Sequence, residues 1–452
     1  MNQRRGSALA IVVWSVALLA LIAAGIQVAG FRQATLGREA IARVQARWAA
    51  RAGVETMISL MEFDTENPEP DNPLALLRDL ETNAATELGT GTYDIRHVLD
   101  GVEWAGPLDE HARMNLNLAD KAMLGNIQDM MSDVVDAVID WRDTDSDESP
   151  IGAEGDFYLN RGMGYSPRNA NFRSVAELEL VTGAYPTDVR GEDWNLNNRL
   201  DPNEDDGDLT WPEDSADGVL DGGWGRLFTS TSRDTGRAID GKPKVDLKHA
   251  SIDEIREAIP SLSAEHAAGL ITFARTSNPM LETLIMVPLS QAATGATTPA
   301  ATSGGSGRTG RSSAGASSAN SSIPDLSPEQ LRSVLNICTL TDYTRPAPGK
   351  LNVNSMSRDV LVHLFDLSTK QADNLLSRRD RARDGFTSIL DLQEAGLDAQ
   401  WLAANGRYLD VVSNVYTISC KGRSLNGLAE AELIVTVDRS TKPATILSYR
   451  EN

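Results

Sequence analysis

The sequence predicts an α+β fold in which a long N-terminal helix and a small antiparallel sheet accompany a large, mostly α-helical insertion. Three patterns support this prediction. An apolar N-terminal run continues without proline into a segment of helical periodicity. Strand-like alternation occurs at residues 92–105 and again beyond residue 411. Helical patterns dominate residues 110–410, so the sheet must be assembled from two distant parts of the chain.

The N-terminal helix starts in an apolar run from Ser7 to Gly30, which follows a short basic leader ending in Gly6. Its 24 residues would rise about 36 Å as a helix, enough to span a bilayer. Apolar positions then recur at 3–4 spacing, so one continuous helix is expected to reach about Phe63. Because basic residues precede the run, the N-terminus should stay cytoplasmic. A plain membrane anchor and a cleaved signal peptide are the alternatives.

The predicted sheet combines strands from both ends of the chain. Residues 92–99 alternate and end in the turn Asp100-Gly101, after which Glu103 to Ala105 begin a returning strand. Three further strands are predicted at the C-terminus: Tyr416 to Cys420, Ala429 to Val437 and Ala444 to Tyr449. We expect this antiparallel sheet to cover the outer half of the N-terminal helix.

The insertion contains a repeated unit. Arg113-Met114-Asn115-Leu116-Asn117 is echoed by Lys350-Leu351-Asn352-Val353-Asn354, and more weakly by residues 244–250. Each copy precedes two predicted helices, and we expect its Asn residues to cap the first of them. The second helices are predicted at Asp133 to Arg142, Ala264 to Arg275 and Lys370 to Arg379. Two copies close with similar segments that begin at Phe172 and Phe386.

These units resemble helix-hairpin-helix or SAM-like modules. The glycine-bearing hairpin of the DNA-binding versions is absent from all three turns, so the resemblance implies packing and protein contact. Residues 296–322 are rich in Ser, Gly and Ala and predict a flexible linker. The expected division is a leader (1–6), a transmembrane helix (7–30), its outer half with the first strands (31–109), a helical insertion (110–295), the linker (296–322), a second helical module (323–410) and C-terminal strands (411–452).

The chain carries a net charge of −22, much of it in two segments. Residues 140–156 contain seven acidic residues and one basic residue, and residues 192–221 contain eleven and one. This charge argues against nucleic acid as a partner, because a phosphate backbone needs a basic surface. The two segments are either solvated loops or cation sites.

Both acidic segments have the oxygen-ligand spacing of an EF-hand loop, which binds Ca²⁺ through positions 1, 3, 5 and 12. The candidate ligands of the first loop are Asp140, Asp143, Asp145, Asp147 and Glu154. Those of the second loop are Asp193, Asn195, Asn197, Asp201 and Glu204. Position 6, usually glycine, is Glu148 in the first loop and Asn198 in the second, and only Asn tolerates a left-handed backbone well. We expect Ca²⁺ as the cofactor, with a solvated acidic surface as the alternative.

No catalytic residues are predicted, and the protein is not expected to be an enzyme. Its five histidines lie in no metal-ligand or nucleophile spacing, and aromatic residues make up only 5% of the chain. Cys338 and Cys420 fit no metal site either. They could form a disulfide in an oxidising compartment, or Cys338 could be buried at the end of an apolar helix.

The leader and long helix resemble those of type IV prepilins and pseudopilins. In that family a prepilin peptidase cleaves after the leader glycine, here Gly6, so that Ser7 becomes the N-terminus. Most members have Glu at the fifth mature position, where it meets the N-terminal amine of a neighbouring subunit, but this chain has Ile11. A buried carboxylate must be paired, so its absence suits a filament tip and resembles the K-type minor pseudopilins of type II secretion.

The series Asp140-Trp141-Arg142-Asp143, Gly152-Ala153-Glu154 and Tyr158 strengthens the K-type resemblance, which implies calcium at the first loop. It also implies a single-pass inner-membrane protein, mostly periplasmic, at the tip of a pseudopilus that exports folded proteins across the outer membrane. The implied partners are other minor pseudopilins, the inner-membrane secretion platform, prepilin peptidase and membrane lipid. The alternative is a minor pilin of a DNA-uptake or adhesive type IV pilus that binds DNA or a ligand through its helix-hairpin-helix modules.

Overall fold

The computed structural model describes residues 5–295 and 323–451. The predicted linker 296–322 and most of the predicted leader therefore lie outside the described residues. Helix α1 spans Arg5–Glu66, as the continuous apolar and amphipathic pattern predicted. Among the described residues, it is the helix that is long and apolar enough to cross a membrane, with a mean hydropathy of 2.7 in its most apolar part.

A seven-stranded antiparallel sheet lies against the outer half of α1. Its strands are β1 (Ala85–Leu88), β2 (Gly91–Leu99), β3 (Val102–Ala105), β4 (Leu108–Asp109), β5 (Val415–Ser424), β6 (Glu430–Asp438) and β7 (Thr445–Glu451). The order is β1-β2-β5-β6-β7, with β3 beside β2 and β4 beside β5. In this register Cys420 faces Ile95 across β5 and β2. The predicted pairing of N-terminal and C-terminal strands is thus confirmed.

The core between α1 and the sheet is built from small residues at one end and larger ones at the other. Met57 and Met61 are fully buried against the apolar face of the sheet. Nearer the N-terminus, the backbone of Gly422 approaches α1 so closely that a Cβ there would lie 2.1 Å from the Ala46 carbonyl oxygen. Alanine and glycine at this crossing let the strand pack directly on the helix backbone.

The insertion leaves the sheet after β4 and returns at β5, and its regular elements are mainly short helices. Helix α2 (Ala75–Thr82) precedes β1 and lies outside the insertion. The helices of the insertion, in chain order, are α3 (Lys121–Gly125), α4 (Ser132–Arg142), α5 (Gly155–Asn160), α6 (Pro186–Arg190), α7 (Ile252–Ala258), α8 (Ala264–Ala274), α9 (Leu289–Ala292), α10 (Pro328–Ile337), α11 (Arg358–His363), α12 (Thr369–Arg381), α13 (Asp391–Glu394) and α14 (Ala399–Asn405). The second helices of the three repeats are α4, α8 and α12, close to the predicted bounds. The first and third repeats share one hydrophobic core, whereas the second packs with α10 in another.

The N-x-N segments were expected to cap the first helix of each repeat, but they do not. Asp120 and Ser357 cap α3 and α11 instead. The second Asn of each segment closes the repeat: the Asn117 side chain accepts a hydrogen bond from the Phe172 amide at 2.7 Å and donates to its carbonyl at 3.1 Å. Asn354 makes the same pair of bonds with Phe386, at 2.7 and 2.9 Å. Asn can bond both backbone groups at once, which explains its recurrence.

The two cysteines are free, so the structure does not form the disulfide considered from the sequence. Cys338 belongs to the core around α8 and α10, whereas Cys420 lies between the sheet and α1. Each thiol is buried in a separate apolar cluster, and burial raises the pKa of both to about 12. They act as small core side chains.

Candidate metal centre

The first acidic loop brings three carboxylates together where α4 ends. Asp143 follows the last residue of the helix, and Glu154 precedes α5. Carboxylate oxygens of Asp143, Asp145 and Glu154 all lie within 4.8 Å of one another. Three convergent oxygen donors are the beginning of a site for a hard cation such as Ca²⁺.

The other two predicted ligands of this loop lie outside the cluster. Asp140 is fully buried and accepts hydrogen bonds from the Ser149 and Ala153 amides, the latter at 2.8 Å. Its carboxylate therefore holds the loop in shape. Asp147 is exposed, and only its backbone amide takes part, donating to Asp145 at 2.9 Å.

The three-carboxylate cluster has unsatisfied oxygens. Glu154 is 6% exposed, and its Oε1 and the Oδ1 of Asp143 are buried without a hydrogen-bond partner. Burial raises the pKa of both carboxyl groups, and their acidic neighbours raise it further. Buried carboxylate oxygens that repel one another and lack donors are the arrangement that a bound cation relieves.

The second acidic loop curls as its EF-hand spacing predicts. Asn198, at position 6, has a positive φ of 55°. Buried Asp193 accepts hydrogen bonds from the amides of Asn197 and Asn198, both at 3.0 Å. Buried Glu204 closes the loop by accepting from Trp194 and Asp201, both at 3.1 Å. Asp193 and Glu204, the first and last predicted ligands, therefore both accept hydrogen bonds from backbone amides of the loop.

The remaining predicted ligands of the second loop are joined through Asp201. Its Oδ2 accepts hydrogen bonds from the side-chain amides of Asn195 and Asn197, each at 2.8 Å. Its Oδ1 pairs with Lys421 at 2.8 Å. Burial is the largest single influence and opposes ionisation of Asp201, but the hydrogen bonds from Lys421, Asn195 and Asn197 and the charge of Lys421 together outweigh it and lower the pKa.

Asp193 and Glu204 ionise with difficulty. Burial raises the pKa of Asp193 to about 6. Burial, with repulsion from Asp193 and Asp201, raises the pKa of Glu204 to about 7. A divalent cation between these groups would reverse both shifts, because it favours the charged forms.

Contacts with the sheet hold the second loop against the face that is turned away from α1. The Val98 amide in β2 donates to the Asn198 carbonyl at 2.7 Å, and Arg450 in β7 donates to the Asn195 carbonyl at 2.8 Å. Arg113 reaches the Asn198 side chain at 2.9 Å while it pairs with buried Glu110. No local pattern in the sequence marks these partners, because Lys421 and Arg450 lie more than 200 positions away from the loop residues that they contact.

Comparison with known proteins places the first loop inside a recognised domain. Residues 112–191 match the family model described as type II secretion system (T2SS), protein K. The match includes Asp143, Asp145 and Glu154 and ends just before Asp193. A solved structure, the GspK-GspI-GspJ complex from the enterotoxigenic Escherichia coli type 2 secretion system, contains a chain 11% identical in sequence. That match covers 90% of this chain and 96% of the other, with a TM-score of 0.40. No curated protein matches the sequence.

Proposed function

We propose that this chain, a minor pseudopilin of the type II secretion system, occupies the tip of the pseudopilus and supports export of folded proteins across the outer membrane. The observation that carries the proposal is the place of the insertion. It leaves the sheet at β4 and returns at β5, and these two strands pair with each other. Residues 110–414 therefore leave and rejoin a small pseudopilin sheet at one place. A subunit within a filament needs free surfaces above and below it, whereas an end subunit needs only one.

We propose further that α1 anchors the protein in the inner membrane with its N-terminus in the cytoplasm. The apolar segment of α1 is exposed from Leu9 to Gly30, which suits lipid or neighbouring helices better than water. Prepilin peptidase would cleave between Gly6 and Ser7. Ile11 then leaves no buried carboxylate for a neighbouring subunit to neutralise.

Other minor pseudopilins and the inner-membrane secretion platform are the proposed partners. Beyond the apolar run, Ile41, Val44 and Trp48 are all exposed at helical spacing, on the side of α1 opposite buried Ala46 and Ala50. This face suits the helix of an adjoining subunit. The family is a structural component of secretion, and we propose no catalytic role.

Calcium is the proposed cofactor of both loops. In the first loop Asp143, Asp145 and Glu154 would hold the ion, since they converge and have unsatisfied oxygens. In the second, Asp193, Asn195, Asn197 and Glu204 offer the EF-hand set. A Ca²⁺ ion supplies positive charge that neutralises the carboxylates. The residues themselves fix the path of each loop, and the second loop also joins the insertion to the sheet.

The number of copies in a filament tests the tip assignment. Quantitative mass spectrometry of purified pseudopili should find a fixed, small number of copies of this chain per filament, independent of filament length. A number that rises in proportion to length would place the protein along the shaft and overturn the proposal.

A further inference from the structure

The turn between β5 and β6 presents two leucines whose side chains are mostly exposed. Leu425 is 69% exposed and Leu428 is 58% exposed. We infer that these two side chains insert into the surface of the bilayer that anchors α1, so that the folded domain rests on the membrane before it joins a filament. This inference relies on the proposed function only in that α1 must lie in the membrane.

The turn faces the membrane-spanning end of α1. Cys420 lies against Gly53, whereas Gly422 lies against Ala46 and Ala50. Strand β5 therefore runs antiparallel to α1, toward its N-terminus. Leu425 is three residues beyond Gly422, or about 10 Å of strand, which equals roughly seven residues of helix. The turn thus lies near the level of Ile41.

The dimensions of α1 bring this level within reach of lipid. The 24-residue apolar run is about 36 Å long, and a hydrocarbon layer of about 30 Å accommodates it with a tilt of about 34°. Ile41 lies about 15 Å along the helix beyond Phe31, hence about 12 Å above the hydrocarbon. When α1 tilts toward the side that carries the sheet, a strand packed about 10 Å from the helix axis lies about 6 Å closer to the hydrocarbon than the axis does. The turn then lies within the headgroup layer, which is about 5–7 Å thick.

The turn is held in the shape that exposes both leucines. The Asn426 side chain accepts hydrogen bonds from the Leu428 amide at 3.1 Å and the Ser424 hydroxyl at 2.9 Å. The Ser424 amide donates to the Ala429 carbonyl at 3.0 Å, and Gly427 has a φ of 67°. An apolar pair on a fixed turn loses little conformational freedom when it enters an apolar phase.

The charge near the membrane also suits a lipid surface. Arg32, Arg38 and Arg43 are exposed on α1, and Glu39 is the one acidic residue between positions 31 and 44. This stretch is basic although the whole chain has a net charge of −22. The nearest carboxylate on the strand that follows the turn, Glu430, pairs with Arg423 at 3.2 Å. Basic side chains beside an apolar tip favour anionic headgroups.

The test uses the full chain reconstituted in vesicles of phosphatidylethanolamine and phosphatidylglycerol. A fluorophore sensitive to polarity is attached at Leu428→Cys, while the native cysteines are buried. The matched control carries it at Leu209→Cys, where the side chain is 84% exposed in the acidic segment. Lipids with a quencher at the hydrocarbon boundary should quench the probe at position 428 several-fold more than the one at 209. Adding Leu425→Ser should reduce this difference without changing the melting temperature.

Equal quenching at the two sites, or no effect of Leu425→Ser, would overturn the inference. A spectral shift that appears only at high protein-to-lipid ratio, without quenching by the lipid-borne quencher, would assign the turn to a second copy of the chain and reject the lipid contact. Alkaline carbonate extraction separates this result from the proposed function. Release of the protein would remove the membrane anchor itself, whereas retention without quenching at position 428 would remove only the lipid contact of the turn.

Discussion

Replacing Glu154 with Gln should have opposite effects on stability with and without calcium. Without the ion, Glu154 repels Asp143 and Asp145 across at most 4.8 Å. Two unit charges at that distance cost about 1 kcal/mol at the dielectric of water and about 3.5 kcal/mol at an effective dielectric of 20. Asp145 is exposed and Asp143 is half-buried, so the lower value, about 1 kcal/mol for each pair, applies to both. Glu154→Gln should therefore stabilise the calcium-free protein by about 1–2 kcal/mol.

With calcium, the same substitution removes a ligand. A ligand at one hundred times its dissociation constant stabilises the folded state by about 2.7 kcal/mol, and Glu154→Gln should lose most of that gain. Thermal unfolding of the full chain in detergent, with calcium or with chelator, measures both effects. Asp147→Asn is the matched control, because Asp147 is exposed and outside the cluster. An undiminished calcium response in Glu154→Gln would show that Glu154 is not a ligand, and a destabilised calcium-free variant would contradict the repulsion among the three carboxylates.

Three further predictions concern other parts of the fold. The pKa of Glu204 in the folded state is raised to about 7. The calcium-free protein should therefore lose up to about 3 kcal/mol of stability as pH rises from about 4.5 to 7. Denaturant titrations would measure this loss, and calcium should reduce it. Asn354→Ala should lower the free energy of unfolding by about 2–3 kcal/mol, because it leaves the Phe386 amide and carbonyl without their partner. The control Asn203→Ala, at an exposed side chain, should change the free energy of unfolding by less than about 0.5 kcal/mol. Equal effects of the two substitutions would contradict the role of the hydrogen bonds between Asn354 and Phe386. Cys338 and Cys420 should both react with a thiol reagent after denaturation without reductant, and protection of either would indicate a disulfide.

The sequence was sufficient for features with a local or periodic signal. The long helix follows from an unbroken apolar run, and the sheet from alternation at residues 92–105 and beyond 411. The K-type resemblance, which rested on the series around Trp141 and Glu154, is confirmed by the family match over residues 112–191. These features need only neighbouring residues to be recognised.

Features that depend on distant contacts could not be predicted. Five ligands were predicted for the first loop, but Asp140 turns inward to hold the loop and Asp147 faces solvent. The N-x-N segments were interpreted as helix caps because Asn commonly caps helices. Their actual partner is a Phe backbone at least 32 positions away, and only the closed repeat reveals it. The separation of the cysteines likewise depends on which core each enters.

The position of this chain in an isolated pseudopilus distinguishes a tip subunit from a shaft subunit. Immunogold electron microscopy with antibodies against the helical insertion, on pseudopili sheared from cells, would show it. A tip subunit should place gold at one end of each filament and none along the shaft. Gold distributed along the shaft would contradict a tip subunit, because the insertion would then have to fit between stacked neighbours.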